Sequence, residues 1–415
     1  MSDTSTNPRF FYGYVVTAAG FGVWLICWGT FNPCFGVFLK PLLAEFGWTR
    51  AETALAYSLA LSVQAVLTIM MGWLTDRLGP RTVVTVFGSC LGMCYLLMSG
   101  VRTIWQFQLN YGLVGAVGLS ALNIPVMVTI ARWFVKRRGL MIGIVQAGLS
   151  IGGLIFPPFT AWLILSYSWR FAYMILGIIT LVGIIIPGLF LRRDPRDVGQ
   201  LPDGVTVVTT PGLNRESTSS RASGLSLGEA VRTSHFWMMA GIYSSFGFCR
   251  ATFIAHIAAH VQDLGFLLAD GANVLAVLTG SSMIGRIGMG RVADMIGNRA
   301  AFMISFGVTT FILMYGFVAE GLWELYLFGF VFGFAWGAQA VLRFAITSEV
   351  FGLASLGLVM GVLGFAEYGV AALGSYFAGY VFDVVGTYRP VFLMGMAVSA
   401  TGIILAWLLK PAMRN

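Results

Sequence analysis

Apolar residues run along this chain in blocks too long for the core of a soluble domain, and short polar breaks separate them. A helix that crosses a bilayer needs about 20 mostly apolar residues. Blocks of that order fall near residues 12–38, 52–75, 82–100, 104–131, 139–165, 170–191, 236–261, 268–290, 300–319, 322–347, 353–382 and 388–409, and each predicts one helix. Between the sixth and seventh, residues 192–235 are rich in Ser, Thr, Pro, Gly and charge with no apolar period, which predicts a linker. The expected fold is an all-α membrane protein of twelve transmembrane helices in two six-helix bundles, residues 1–191 and 236–415, joined by 192–235.

The two halves repeat one another. The string Gly72-Trp-Leu-Thr-Asp76-Arg77-Leu-Gly79-Pro-Arg81 returns as Gly290-Arg-Val-Ala-Asp294-Met-Ile-Gly297-Asn-Arg299, with all four shared anchors displaced by 218 residues. Each copy sits where an apolar block meets a short charged turn. The repeat therefore predicts pseudo-symmetric bundles with equivalent hinges, an architecture suited to rocking around a central site. Asp76 and Asp294, with Arg77, Arg81 and Arg299, are the expected gate on that side, linking adjacent spans and favouring opening on the other. The alternative is that they only shape tight turns and satisfy helix ends.

Composition narrows the class. Charged residues are 10% of the chain and hydrophobic ones 58%, whereas a soluble domain carries about a quarter charged residues. Residues 1–10 are polar and the first apolar block lacks a cleavage pattern, so it is expected to remain as the first span. Of the 25 Lys and Arg, 17 fall on the side that holds both termini, the linker and the repeated turns; Lys40, Arg50, Arg102, Arg170 and Arg389 fall on the other. That bias predicts cytoplasmic termini and accounts for the net charge of +8 without a nucleic-acid partner. Short termini and a lean linker suggest a bacterial inner membrane. The five cysteines all fall within spans and read as small buried residues. In span five, Gly143, Gly148, Gly152 and Gly153 precede Pro157-Pro158, which reads as a bendable interface or as ordinary close packing.

The chemistry lies in charges that cannot reach an interface. Arg250, Arg286, Arg343 and Glu367 fall well inside apolar spans, where a charge costs about 2.5 kcal/mol or more. They either neutralise one another and pin helices together, or, since three cations face one carboxylate, leave positive charge that an anion completes. A guanidinium fork matches the two oxygens of a carboxylate, so the implied partner is a small organic acid anion. Asn123 in span four is a neutral hydrogen bonder near it or a buried amide satisfied by backbone. Trp336 and Gln339, three residues apart in span ten, are expected to face the same region. His256 and His260 share a helical face; no further ligand type joins them, and His256, the deeper, is a candidate for substrate contact and proton exchange. No nucleophile motif or metal cluster is present, so neither catalysis nor a cofactor is expected. The expected partners are the organic acid, a proton and the lipid bilayer, and a monomer suffices.

Along nearly its whole length the chain resembles the major facilitator superfamily: the repeated turns, the six-plus-six plan and the glycine and proline run of span five carry the likeness. More narrowly, Phe11-Tyr-Gly-Tyr-Val-Val, His256-Ile-Ala-Ala-His-Val-Gln-Asp263-Leu-Gly, Gly285-Arg286-Ile-Gly-Met-Gly-Arg-Val-Ala-Asp294 and Phe382-Asp383-Val-Val-Gly-Thr-Tyr resemble the monocarboxylate transporter and oxalate:formate antiporter branch. That resemblance implies that Arg286 binds the substrate carboxylate and extends substrate contact to Asn123 and His256. Two positions depart from the branch. Ser282 stands where animal monocarboxylate carriers have an aspartate one turn before the arginine, and Glu367 stands where the oxalate:formate antiporter has a lysine, which argues against oxalate exchange. The implied activity is transport of a lactate- or pyruvate-like monocarboxylate with a proton on Glu367 or His256. Arg343 either pairs with Glu367 or accepts a second substrate carboxylate. Exchange of another organic acid, a drug exporter and a nontransporting membrane sensor are the alternatives; buried arginines disfavour a cationic cargo.

Overall fold

The computed structural model describes residues 11–134, 137–202, 225–351 and 356–409, with the side chains at 69, 138, 139, 294, 356 and 357 outside the description. Twelve long helices run through the described residues: α1 Gly13–Phe46, α2 Arg50–Leu78, α3 Pro80–Ser99, α4 Ile104–Trp133, α5 Arg138–Ser166, α6 Trp169–Phe190, α7 Ser234–Asp263, α8 Leu268–Ile296, α9 Asn298–Val318, α10 Leu322–Phe351, α11 Leu356–Val385 and α12 Arg389–Leu408. Several outrun the apolar blocks that predict them, because a helix continues through its polar ends until the backbone meets a stop. α1 passes Lys40 and Glu45 and ends only at Gly47, in the left-handed region at φ 67°, whose N–H closes on the Leu43 carbonyl. α2 then starts on a Thr49–Glu52 capping box.

The repeated strings have one backbone meaning. Gly79 and Gly297 sit at φ 81° and 87°, each taking the chain from the end of one helix straight into the start of the next. A residue with a Cβ is strained at such angles, so glycine recurs at both places.

Among the described residues, nine helices are long and apolar enough to cross a membrane unaided, and α2 joins them as a bent span. α7 and α8 are long enough but more polar. They carry Arg250, His256, His260 and Arg286, and α7 is buried along most of its length between Phe236 and Val261. A helix shielded from lipid by its neighbours can hold such residues.

Packing follows the repeat. α1 pairs with α5 as α7 pairs with α11; α3 pairs with α6 as α9 pairs with α12; α2 packs on α4 as α8 packs on α10. Two apolar cores result, one within α1–α6 and one within α7–α12, each borrowing only a few residues from the other. Contact between the sets runs mainly through α2 with α11 and α5 with α8.

Both bundles place α1, α6, α7 and α12 so that residues near 11, 190, 234 and 408 share one end, here the linker face; the turns after α1, α7 and α11 share the opposite, loop face. At the loop face the bundles are sealed. Asp263 accepts from both Lys40 and Arg50 at 2.7 Å, and the Asp383 carboxylate caps α2 across the interface, accepting from Arg50 N at 3.0 Å and Ala51 N at 2.8 Å. Deeper contacts are Ser58 Oγ to Ala372 O, Thr279 Oγ1 to Gly153 O, and Ser150 with Ser282. A Cβ on Gly153, Gly280 or Gly379 would meet the other bundle, whereas one on Gly143, Gly290, Gly361 or Gly364, nearer the linker face, would meet nothing within 4 Å. The ion pairs that cross between the bundles among the described residues lie at the loop face.

Candidate functional site

Arg286 is half-buried on α8 where the two bundles still touch. Its position is set by glycines. A Cβ on Gly285 would lie 1.9 Å from the Phe334 carbonyl oxygen, and one on Gly337 1.9 Å from that of Ser282, so α8 and α10 meet backbone to backbone on either side of it. The guanidinium lies 5.8 Å from the Trp336 ring of α10, and Nη1 donates to the Gln146 carbonyl of α5 at 3.1 Å. Nε is buried with no partner. Among the described residues no carboxylate pairs with Arg286.

The other buried charges share one carboxylate, with Arg250 Nη2 and Arg343 Nε also buried without a hydrogen-bond partner. Glu367, 4% exposed, is ion-paired with Arg343 and lies 3.7 Å from Arg250. Aromatic faces surround what remains: Arg343 sits 4.4 Å from Phe246, 4.9 Å from Phe344 and 5.2 Å from Tyr243, and Arg250 5.8 Å from Tyr368. Such faces stabilise a cation that has left water. α7 fixes the glutamate through a glycine notch, since a Cβ on Gly247 would come within 2.5 Å of the Glu367 carbonyl oxygen and 2.9 Å of its Cγ. Three arginines and one glutamate leave a surplus of two positive charges, one at Arg286 and one spread over the triad.

Gln339 and His256, also expected at the site, lie elsewhere. Gln339 is turned away from Arg286: its Nε2 donates to Thr309 Oγ1 of α9 at 2.8 Å. The i, i+3 spacing leaves two side chains about 60° apart around a helix, and α10 is wedged between α8 and α9, so Trp336 meets one and Gln339 the other. His256 belongs to the loop-face seal. Its Nε2 faces the Ser375 carbonyl at 2.9 Å and its Nδ1 faces the Tyr388 hydroxyl at 2.9 Å, and that hydroxyl accepts from Arg50 Nη1 at 2.7 Å. A carbonyl only accepts, so Nε2 carries a proton, and in the neutral ring Nδ1 accepts from Tyr388. Asn123 is half-buried on α4 without a hydrogen bond to any described residue.

The linker-face gate differs in its pairings from the expectation. Asp76 pairs with Arg132 of α4 at 2.9 Å rather than with Arg77 or Arg81. Arg77 stacks on Trp73 of its own helix at 4.2 Å, because i, i+4 neighbours share a face. Arg81 is exposed. Arg299 donates to the Ala406 and Trp407 carbonyls, capping the C-terminal end of α12. The Asp294 side chain lies outside the described residues.

Sequence reasoning missed the seal itself. Asp263 and Asp383 stand in strings that carry the family likeness, yet their partners, Arg50 and Lys40, lie in the other half of the chain, and no periodicity joins them.

Two helix bundles of the same internal plan, sealed to each other at one face and holding between them a cation with no described carboxylate partner, fit a membrane transporter and not an enzyme. The Major Facilitator Superfamily model matches residues 16–314, and the chain belongs to that family. Among curated relatives, Monocarboxylate transporter 13 of Bos taurus is 25% identical over 408 residues, covering 97% of this chain and 90% of the relative. Monocarboxylate transporter 13 of Rattus norvegicus is 26% identical over 397 residues, covering 94% and 87%. Among solved structures, a bacterial homolog to the human lysosomal transporter Spinster, in an inward-facing and occupied conformation, superposes with a TM-score of 0.75 at 14% identity, with 96% of each chain covered. That likeness concerns the fold.

Proposed function

We propose that the protein carries a small monocarboxylate of the lactate or pyruvate kind together with a proton, by alternating access, with the linker face cytoplasmic. The observation that carries the reading is Arg286: a guanidinium between the bundles, walled by Trp336, with buried Nε free and no carboxylate of the described residues paired to it. Removing such a cation from water without an anion is unfavourable, and a substrate carboxylate completes it in a two-point fork. Relatives named as monocarboxylate transporters support the same class. Asn123, on the facing bundle, is the proposed second contact. Residues 1–191 and 236–415 are the bodies that rock, with 192–235 as tether.

For the proton, His256 fits better than Glu367. Glu367 holds two arginines, whereas His256 stands at the end of a hydrogen-bond chain that runs through Tyr388 to Arg50 of the other bundle. When the loop face opens, Arg50 leaves Tyr388 and Nδ1 is free to take a proton. A proton moving with a monoanion is electroneutral, so the membrane potential, worth about 2.3 kcal/mol per charge per 100 mV, does not oppose it.

The test is uptake into proteoliposomes of labelled acetate, lactate, pyruvate and benzoate, with and without an inward proton gradient. Saturable, gradient-stimulated uptake of at least one is the expected outcome. Uptake of none, by protein that melts cooperatively, overturns the reading.

A further inference from the structure

We infer that Glu367 is the residue that limits the substrate to a single carboxylate, by serving as an internal carboxylate on the arginines that a second one would need. The inference rests on the reading that Arg286 receives the first. Arg343 and Arg286 lie on helices that touch through Gly285, Gly333 and Gly337. Arg343 is also seven residues beyond Trp336, two helical turns along the same face of α10, so the ring beside Arg286 and the second arginine lie along one line.

A dicarboxylate held at Arg286 would extend its second carboxylate toward this arginine. There it meets Glu367, already on Arg343 and pinned from behind by the Gly247 notch. Two carboxylates on one guanidinium repel, and the glutamate cannot withdraw without abandoning Arg250 as well. A monocarboxylate never reaches that point. Discrimination against the wrong substrate thus comes from a built-in like charge rather than from an added attraction.

The experiment compares acetate, lactate, pyruvate, malonate and succinate as competitors for a bound labelled monocarboxylate, using the full-length chain in detergent. The unaltered protein is expected to prefer the monocarboxylates by about tenfold or more, and Glu367→Gln, which keeps the shape but not the charge, to shift that ratio about tenfold toward malonate or succinate. Because freed buried arginines can prevent folding, the double variant Arg250→Met with Glu367→Gln is measured in parallel. It removes one cation with the anion and leaves the total site charge unchanged, so a gain in dicarboxylate binding there must come from a free Arg343. Glu367→Asp should keep the original preference. An unchanged ratio in whichever of the two Gln variants folds overturns the inference while the monocarboxylate reading stands. Failure of the unaltered protein to bind any monocarboxylate removes both, and an unaltered protein that binds succinate as well as lactate removes this one.

Discussion

Replacing Arg286 with lysine separates charge from geometry at the proposed site. The arginine has two tasks: Nη1 reaches the Gln146 carbonyl across the bundle interface, and the remaining donors, Nε among them, are free for a carboxylate. A lysine keeps the positive charge but concentrates it at one point, so it cannot hold two carboxylate oxygens in parallel and also reach Gln146. At least one hydrogen bond to a charged group is lost, worth about 1.5–3 kcal/mol, which is about 10- to 150-fold in Kd. Equilibrium binding of a labelled monocarboxylate in detergent gives the affinity, and thermal melting of the same sample reports folding. Arg286→Gln, which removes the charge as well, should bind more weakly again. If Arg286→Lys melts normally and binds within about threefold of the unaltered protein, the two-point fork is wrong and the carboxylate is held elsewhere.

Gly337→Ala should lower the melting temperature and weaken substrate binding together. Its Cβ would lie 1.9 Å from a backbone oxygen that cannot rotate away, an overpacking cost of about 1–3 kcal/mol, and relief requires α8 to move with Arg286. Asp263→Asn should unseal the loop face, because one carboxylate serves both Lys40 and Arg50; a thiol placed at Ser58 should then react faster with a reagent added from that side, and an unchanged rate would count against the seal. His256→Gln should abolish accumulation driven by a proton gradient yet retain exchange of labelled for unlabelled acid across proteoliposomes. Persistence of gradient-driven accumulation would move the proton route away from His256.

Much of the fold is legible in the order of residues alone. Lipid accepts a helix only when its length and polarity match the bilayer, so block lengths predict twelve spans, and the glycines at 79 and 297 mark where helices must turn because their backbone angles exclude a Cβ. The cost of a buried charge singles out Arg250, Arg286, Arg343 and Glu367.

Which of those charges is left over was decided by tertiary structure. Sequence spacing assigns a residue a depth and a face on its own helix; it does not say which neighbour that face meets, because the rotation and crossing of helices are set by how glycine notches and bulky side chains of distant segments fit together. Glu367 could have neutralised any of three arginines at similar depth. The Gly247 notch holds it with Arg343 and Arg250 and leaves Arg286 open. For the same reason Gln339 meets Thr309 rather than the cavity, and His256 meets Tyr388 at the seal. The sequence determined that charge would be buried in this membrane protein; the packing of α7, α8, α10 and α11 determined which charge remains for a ligand.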